Sequence, residues 1–225
     1  MKKWLYENGL SVALLLCFAV LLLGQSIAGM FEYNNSERQH GRPAVNYAGY
    51  VRSGHFVEAT FENWESEFLQ MGVYIVLTRV FRQKGSVESR KLKDEEEEEK
   101  ARERETEKRA RKMGAVPWPV KKGGWVLKLY EHSLWLAFLA LFLISFALHA
   151  AGGFAEYNSE NEEHAQPAKS FGSYLISSRL WFESFQNWQS EFLAVFAIVV
   201  FTIFLRAKDS AQSKAVGAAH SETGD

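Results

Sequence analysis

Long apolar runs alternate with strongly polar stretches along this chain. Two runs stand out, Gly9 to Phe31 and Gly124 to Phe154. Each exceeds the roughly 20 apolar residues that cross a bilayer core. Two shorter runs, Phe68 to Phe81 and Phe192 to Leu205, follow them. Alone, runs of that length fit a buried helix as well as a span. A helical stripe precedes and lengthens each one. Val57, Phe61, Trp64, Phe68 and Gly72 step by 4, 3, 4 and 4, and Trp181, Phe185, Trp188, Phe192 and Phe196 step the same way. The pattern predicts an all-α integral membrane protein with four transmembrane helices, spanning about 9–31, 65–82, 128–154 and 189–206. The second helix of each half is expected to start near Gly54 or Ser178 and end near Arg82 or Arg206. It should enter the bilayer around Glu67 or Glu191. The first run is longer than a signal-peptide core of 7–15 residues, and its copy recurs in mid-chain, so it reads as a retained helix.

The two halves carry the same sequence at a constant offset. Tyr6-Glu7 returns as Tyr130-Glu131, and Glu32-Tyr33-Asn34 as Glu156-Tyr157-Asn158. Phe61, Asn63-Trp64 and Ser66-Glu67-Phe68-Leu69 return as Phe185, Asn187-Trp188 and Ser190-Glu191-Phe192-Leu193. Every pair is 124 residues apart. A whole unit was therefore duplicated, and repeats decide architecture. Two crossings per unit return the chain to its starting side. The expected fold is two parallel tandem repeats of a helical hairpin, unlike the inverted repeats of many transporters. Repeat 1 covers 1–86, a charged linker 87–123, repeat 2 124–210, and a disordered tail 211–225.

Lysine and arginine orient the chain. Lys2 and Lys3 precede the first span, the stretch from Arg79 to Lys128 is rich in both, and Arg206, Lys208 and Lys214 follow the last span. The other two loops carry only Arg38, Arg42 and Arg52, and Lys169 and Arg179. Both termini and the linker are expected to be cytoplasmic. Ser89 to Lys112 mixes acids and bases without Pro or Gly, which predicts an exposed helix supported by i,i+4 pairs. It has too few apolar residues for a strong coiled-coil seam, so a single helix is expected, with a coiled coil and disorder as the alternatives. Pro117-Trp118-Pro119 breaks it, and Trp118 and Trp125 suit a membrane–water boundary.

Composition narrows function. Net charge is −1, which argues against a nucleic-acid partner, and the lone Cys17 forbids an intrachain disulfide. No nucleophile–base pattern, phosphate loop or dinucleotide fingerprint is present, so no catalytic residue, cofactor or metal is assigned. His40, Pro43 and Ala44 recur as His164, Pro167 and Ala168, but without the close His/Cys spacing of a metal site.

The candidate polar site is Asn63 and Glu67 with Asn187 and Glu191, at the depth where the second helices enter the bilayer. Ionisable groups there are costly and usually face a bundle interior. They either bind loop groups, the favoured reading, or line a shared vestibule for a cation or proton. Glu7 with Arg82 and Glu131 with Arg206 are expected to clamp the cytoplasmic base of each hairpin. Gln25 and His149 occupy equivalent positions and are expected to bind across helices.

The Glu-Tyr-Asn, His-x-x-Pro-Ala and Asn-Trp-x-Ser-Glu-Phe-Leu blocks resemble a family of uncharacterised bacterial inner-membrane proteins. The resemblance implies a bacterial cytoplasmic membrane and four spans, and carries no functional residues over. The expected function is a non-enzymatic multi-pass membrane protein with a structural or interaction role. Its partners would be the bilayer, a cytoplasmic protein bound through residues 89–112, and further copies of itself. The rival is a small cation or proton channel or transporter using Glu67 and Glu191. A third class, an enzyme acting on lipid or envelope substrates, would need an outer acid pair.

Overall fold

A computed structural model describes residues 2–93 and 95–224. Among these residues there is no strand. The helices run in chain order: α1 (Lys2–Glu7), α2 (Gly9–Gln39), α3 (Tyr47–Tyr50), α4 (Gly54–Val80), α5 (Glu96–Lys112), α6 (Trp118–Lys122), α7 (Gly124–Glu131), α8 (Ser133–Glu163), α9 (Phe171–Leu175) and α10 (Ser178–Phe204). Helices α2 and α8 each have 31 residues, and α4 and α10 each have 27. At about 1.5 Å per residue the longer pair exceeds the bilayer core and projects beyond it.

Three of these helices, α2, α8 and α10, are long and apolar enough to cross a membrane. Four were expected. Helix α4 has the length, but Glu65, Glu67, Gln70 and Arg79 dilute its apolar part. Leu10, Leu14, Leu15, Leu16, Val20 and Leu21 of α2 are all more than half exposed. A patch that size on a soluble protein would drive association, whereas lipid solvates it.

The chain forms two compact units, Met1–Asn63 with Ser145–Phe182, and Trp64–Ile144 with Glu183–Asp225. The core of the first centres on Ala150, Tyr174 and Leu180, with Phe146, Phe154, Tyr157 and Leu175 packed around them. Ser53 and Ser177 start α4 and α10 by accepting the backbone N–H of Phe56 and Leu180. Backbones meet closely at Gly54 and Gly152. A Cβ on Gly54 would lie 2.8 Å from Glu156 N and Gly152 O, and one on Gly152 2.5 Å from Glu58 N.

In the second unit, Gly72 packs on Phe138, and Phe68 and Phe138 rings lie 6.3 Å apart. Of the linker segment expected to be helical from Ser89 to Lys112, 89–93 is not helical and Glu96–Lys112 forms α5. Its first turn carries Glu96 to Glu99 and its last turn Arg109, Arg111 and Lys112, which complements the helix dipole. Glu96–Lys100 at 3.1 Å and Glu107–Arg111 at 2.7 Å add i,i+4 pairs.

The tail, expected to be disordered, is held. Thr223 Oγ1 accepts Gly85 N–H at 2.8 Å, Gly224 N–H binds Ser86 O, and Lys91 Nζ reaches Gly224 O. Lys214 Nζ donates to the carbonyls of Ala219, His220 and Glu222 at 2.9–3.2 Å. Small polar residues fold here because backbone carbonyls find buried donors. Two turns 124 residues apart also match. Lys84-Gly85-Ser86 and Lys208-Asp209-Ser210 make the same turn, with φ of 87° at Gly85 and 63° at Asp209. Ser89 Oγ accepts Gln83 N–H, and Ser213 Oγ accepts Ala207 N–H.

Candidate functional site

The first unit gathers its ionisable groups in a cap formed by the ends of α2 and α8, the loops after them, and the starts of α4 and α10. Asparagines shape the loops. Asn34 accepts Val45 N–H at 2.7 Å and donates to Val45 O at 2.9 Å. Asn158 does the same to Lys169, at 2.9 and 3.2 Å. Asn46 and Ser170 then cap α3 and α9 by accepting the N–H of Gly49 and Ser173. These short helices deliver Tyr50 and Tyr174, which are 1% and 0% exposed. Each hydroxyl presses against a glycine, Gly29 and Gly153 respectively, where a Cβ would clash. Burial pushes the Tyr50 hydroxyl up to about 12.

Charges fill the space between. Arg179 binds Glu160 through two nitrogens and lies 3.5 Å from Glu58, whose side chain is 10% exposed. Arg42 donates to Glu163 at 2.8 Å and to Ser159 at 3.1 Å, with Glu37 at 3.8 Å. His55 pairs with Glu32 at 3.5 Å. His149, fully buried on α8, sits 4.0 Å from Glu62. The Glu156 carboxyl is pushed up to about 7, first by burial and then by the Glu160 charge, against the pull of the His55 backbone and Arg179. Chemically this cap can neutralise charge internally and exchange a proton near neutral pH.

A second polar centre lies in the second unit. Glu65 is 0% exposed on α4 and its Oε1 accepts Ser184 Oγ at 2.8 Å and Trp188 Nε1 at 3.2 Å. Ser184 and Trp188 are spaced i,i+4 and so share one face of α10. Trp188 is braced by Phe142 and Phe185, with ring centroids at 6.1 and 5.5 Å.

The residues singled out from sequence are placed as follows. Asn63 belongs to the first unit, is exposed, and donates to Ala59 O. Glu67, Asn187 and Glu191 belong to the second. Glu67 is exposed, Asn187 O accepts Ser190 Oγ, and Glu191 is half-buried with its backbone carbonyl bound by Gln70. The enclosed carboxylate of the block is thus Glu65, two residues before the one sequence favoured. Arg82 and Arg206 turn their guanidinium groups onto carbonyls at the ends of α4 and α10. Arg206 does so in place of Glu131, which is exposed at the end of α7. A guanidinium there satisfies orphan carbonyls and the helix dipole together. Glu7 lies 3.7 Å from Lys3, one turn earlier. Gln25 reaches Ala59 O and Thr60 Oγ1 on α4, at 3.4 and 3.5 Å. His40 and His164 bond through Nδ1 to the carbonyls of Ser36 and Glu160, four residues back.

Identity between the halves does not mark Glu58, Glu62, Glu65 or Arg179, because each faces a different residue type at the matching position. Their counterparts at the 124-residue offset are Phe182, Gln186, Gln189 and His55. The signal was a charge on one copy facing a different residue type on the other.

An all-helical chain with apolar helices of membrane-spanning length and a polar cap is the architecture of a membrane protein. The chain belongs to the family described as "Domain of unknown function (DUF6766)", whose model matches residues 1–225. No curated protein and no solved structure matches it.

Proposed function

We propose that this is a non-enzymatic, multi-pass membrane protein with a structural or interaction role, built as two parallel tandem repeats of a helical hairpin. In this reading α4 is the fourth span, the membrane is the bacterial cytoplasmic membrane, and both termini and α5 are cytoplasmic. Helix α5 is the surface offered to a cytoplasmic protein partner. The observation that carries the reading is the mutual satisfaction of charge in the cap. Arg179 is consumed by Glu58 and Glu160, and Arg42 by Glu37, Ser159 and Glu163. Such a network fixes loops in place. The repeat is supported by equivalent hydrogen bonds at Asn34 and Asn158, Arg82 and Arg206, and Ser89 and Ser213.

Crosslinking in native membranes followed by mass spectrometry tests the interaction role. A crosslink from α5 to one recurrent protein is the expected result, and α5 crosslinks only to scattered background proteins would end it. Topology is tested with cysteines at Asn35, Gln166 and Met113, all exposed. An impermeant thiol reagent on intact cells should label the first two and spare the third.

A second reading, passage of a cation or proton, is favoured by Glu65. A fully enclosed carboxylate that accepts from Ser184 and Trp188 on a membrane helix is expensive and commonly functional. The other copy carries Gln189 at that position, so glutamine is compatible with the helix. Glu65→Gln in liposomes separates the readings. Loss of a measurable flux with the fold intact supports passage; a change in thermal stability with no flux in either protein supports the structural role.

A further inference from the structure

Between the last turn of α5 and the end of α7 the chain becomes strongly basic although its net charge is −1. Residues 108–128 hold seven Lys and Arg and no Asp or Glu. Lys108, Arg109, Arg111 and Lys112 close α5, Lys121 and Lys122 lie on α6, and Lys128 on α7; all seven are exposed. Three large apolar side chains stand among them in solvent: Met113 at 70%, Trp118 at 63% and Trp125 at 72%. Lys122 Nζ lies over both indoles, 5.0 Å from the Trp118 centroid and 5.9 Å from that of Trp125. Two residues after Lys128 and Leu129 comes the end of α7, and Ser133 then begins the apolar helix α8.

Helix-dipole complementarity explains a base or two at each helix end. It does not explain the absence of acid over 21 residues, nor tryptophans left in water. Indoles rest at the headgroup level of a bilayer, and polybasic segments beside a span are drawn to anionic lipid. We infer that residues 108–128 form a docking surface for the anionic headgroups of the protein's own membrane, with Trp118 and Trp125 seated at the interface and the seven cations on lipid phosphates. Each base contributes about fivefold to partitioning at low ionic strength, weakening as salt shortens the Debye length. The acidic first turn of α5, at the other end of that helix, is repelled by the same surface. The inference rests on α8 being membrane-embedded.

The test uses the full chain with Cys17→Ser and a fluorophore on Met113→Cys, in nanodiscs of neutral phosphatidylcholine or of a mixture rich in anionic phosphatidylglycerol. Access of an aqueous quencher is measured at low and high salt. The expected result is at least threefold weaker quenching in the anionic discs, lost at high salt. Replacing Lys112, Lys121, Lys122 and Lys128 with Gln should restore the neutral-lipid value, with an unchanged melting temperature to show an intact fold. Equal quenching in both lipids, or protection that survives the four substitutions, overturns the docking alone. Failure to enter neutral discs overturns the span and the docking together. Protection produced by added RNA in neutral discs, with none from anionic lipid, assigns the patch to nucleic acid and overturns the inference as well.

Discussion

Two segments of the first unit, 33–55 and 157–179, bend their backbones alike and carry their charges differently. Asn34 holds Val45 as Asn158 holds Lys169. Tyr50 sits against Gly29 as Tyr174 sits against Gly153. Where the first segment ends in His55 beside a largely exposed Glu32, the second ends in Arg179 between Glu58 and Glu160. The backbone-directed contacts match because each is satisfied within its own half of the sequence. The ionic contacts differ because a charge in one segment is useful only if something elsewhere matches it. Arg179 finds such a match in Glu58, which comes from the other half of the sequence.

The comparison breaks hardest at Arg179. Arg179→Ala leaves Glu58 with one-tenth exposure and no guanidinium, and is expected to cost about 2–4 kcal/mol. His55→Gln removes the equivalent residue from a partner that is 69% exposed, and should cost about 1 kcal/mol or less. Thermal unfolding in detergent measures both. Equal losses would show that the two segments carry charge in the same way after all. Gly153→Ala comes next, at about 2–3 kcal/mol, because the new methyl meets the Tyr174 hydroxyl and Glu58 Oε1. Tyr174→Phe should recover part of that loss by removing the clashing oxygen. Gly172→Ala, with open space around its Cβ position, serves as the silent control.

Much of this fold is legible in the sequence, for reasons that individual residues make clear. The apolar runs mark the long helices because continuous apolar sequence leaves an unmistakable pattern, and three of these helices have membrane-spanning length and hydropathy. The charged linker reads as a helix because Glu96–Lys100 and Glu107–Arg111 are spaced for one. The interior of the cap is not legible. Glu58, His149 and Arg179 sit far apart in sequence, and nothing local says that they share a unit. Glu65 and Glu67 differ by two positions, which on a helix places them on different faces. Only packing reveals that Ser184 and Trp188 enclose the former while the latter stays in solvent. The tail misleads for the opposite reason. Its composition is that of a disordered segment, yet Lys214 finds three carbonyls to bind.

A finer test lies in the asparagine pair. Asn34 is 9% exposed, whereas Asn158 is only partly covered. Both make the same two bonds, so exposure alone should separate the variants. Asn34→Ala is expected to cost about 2 kcal/mol, since the Val45 backbone groups lose partners where water is scarce, and Asn158→Ala about 1 kcal/mol, since water replaces the lost bonds. Melting temperatures of the two variants, measured side by side, decide it. Identical losses would mean that water reaches both sites equally.

The smallest effect is also the most diagnostic. Glu156 is pushed up to about 7 from an ordinary value of 4.5, first by burial and then by the Glu160 charge. In the folded protein Glu156 keeps its proton to about pH 7, while the unfolded chain releases it near 4.5. Its contribution to stability is therefore fully present below about pH 4.5 and is lost as pH rises through 7. The side chain retains some access to solvent, so screening reduces the loss to about 1 kcal/mol. Glu156→Gln should match the unsubstituted protein at pH 4.5 and melt higher at pH 8. The informative quantity is the difference between variant and parent across the pH series. If that difference stays flat from pH 4.5 to 8, the proton on Glu156 does not couple to folding.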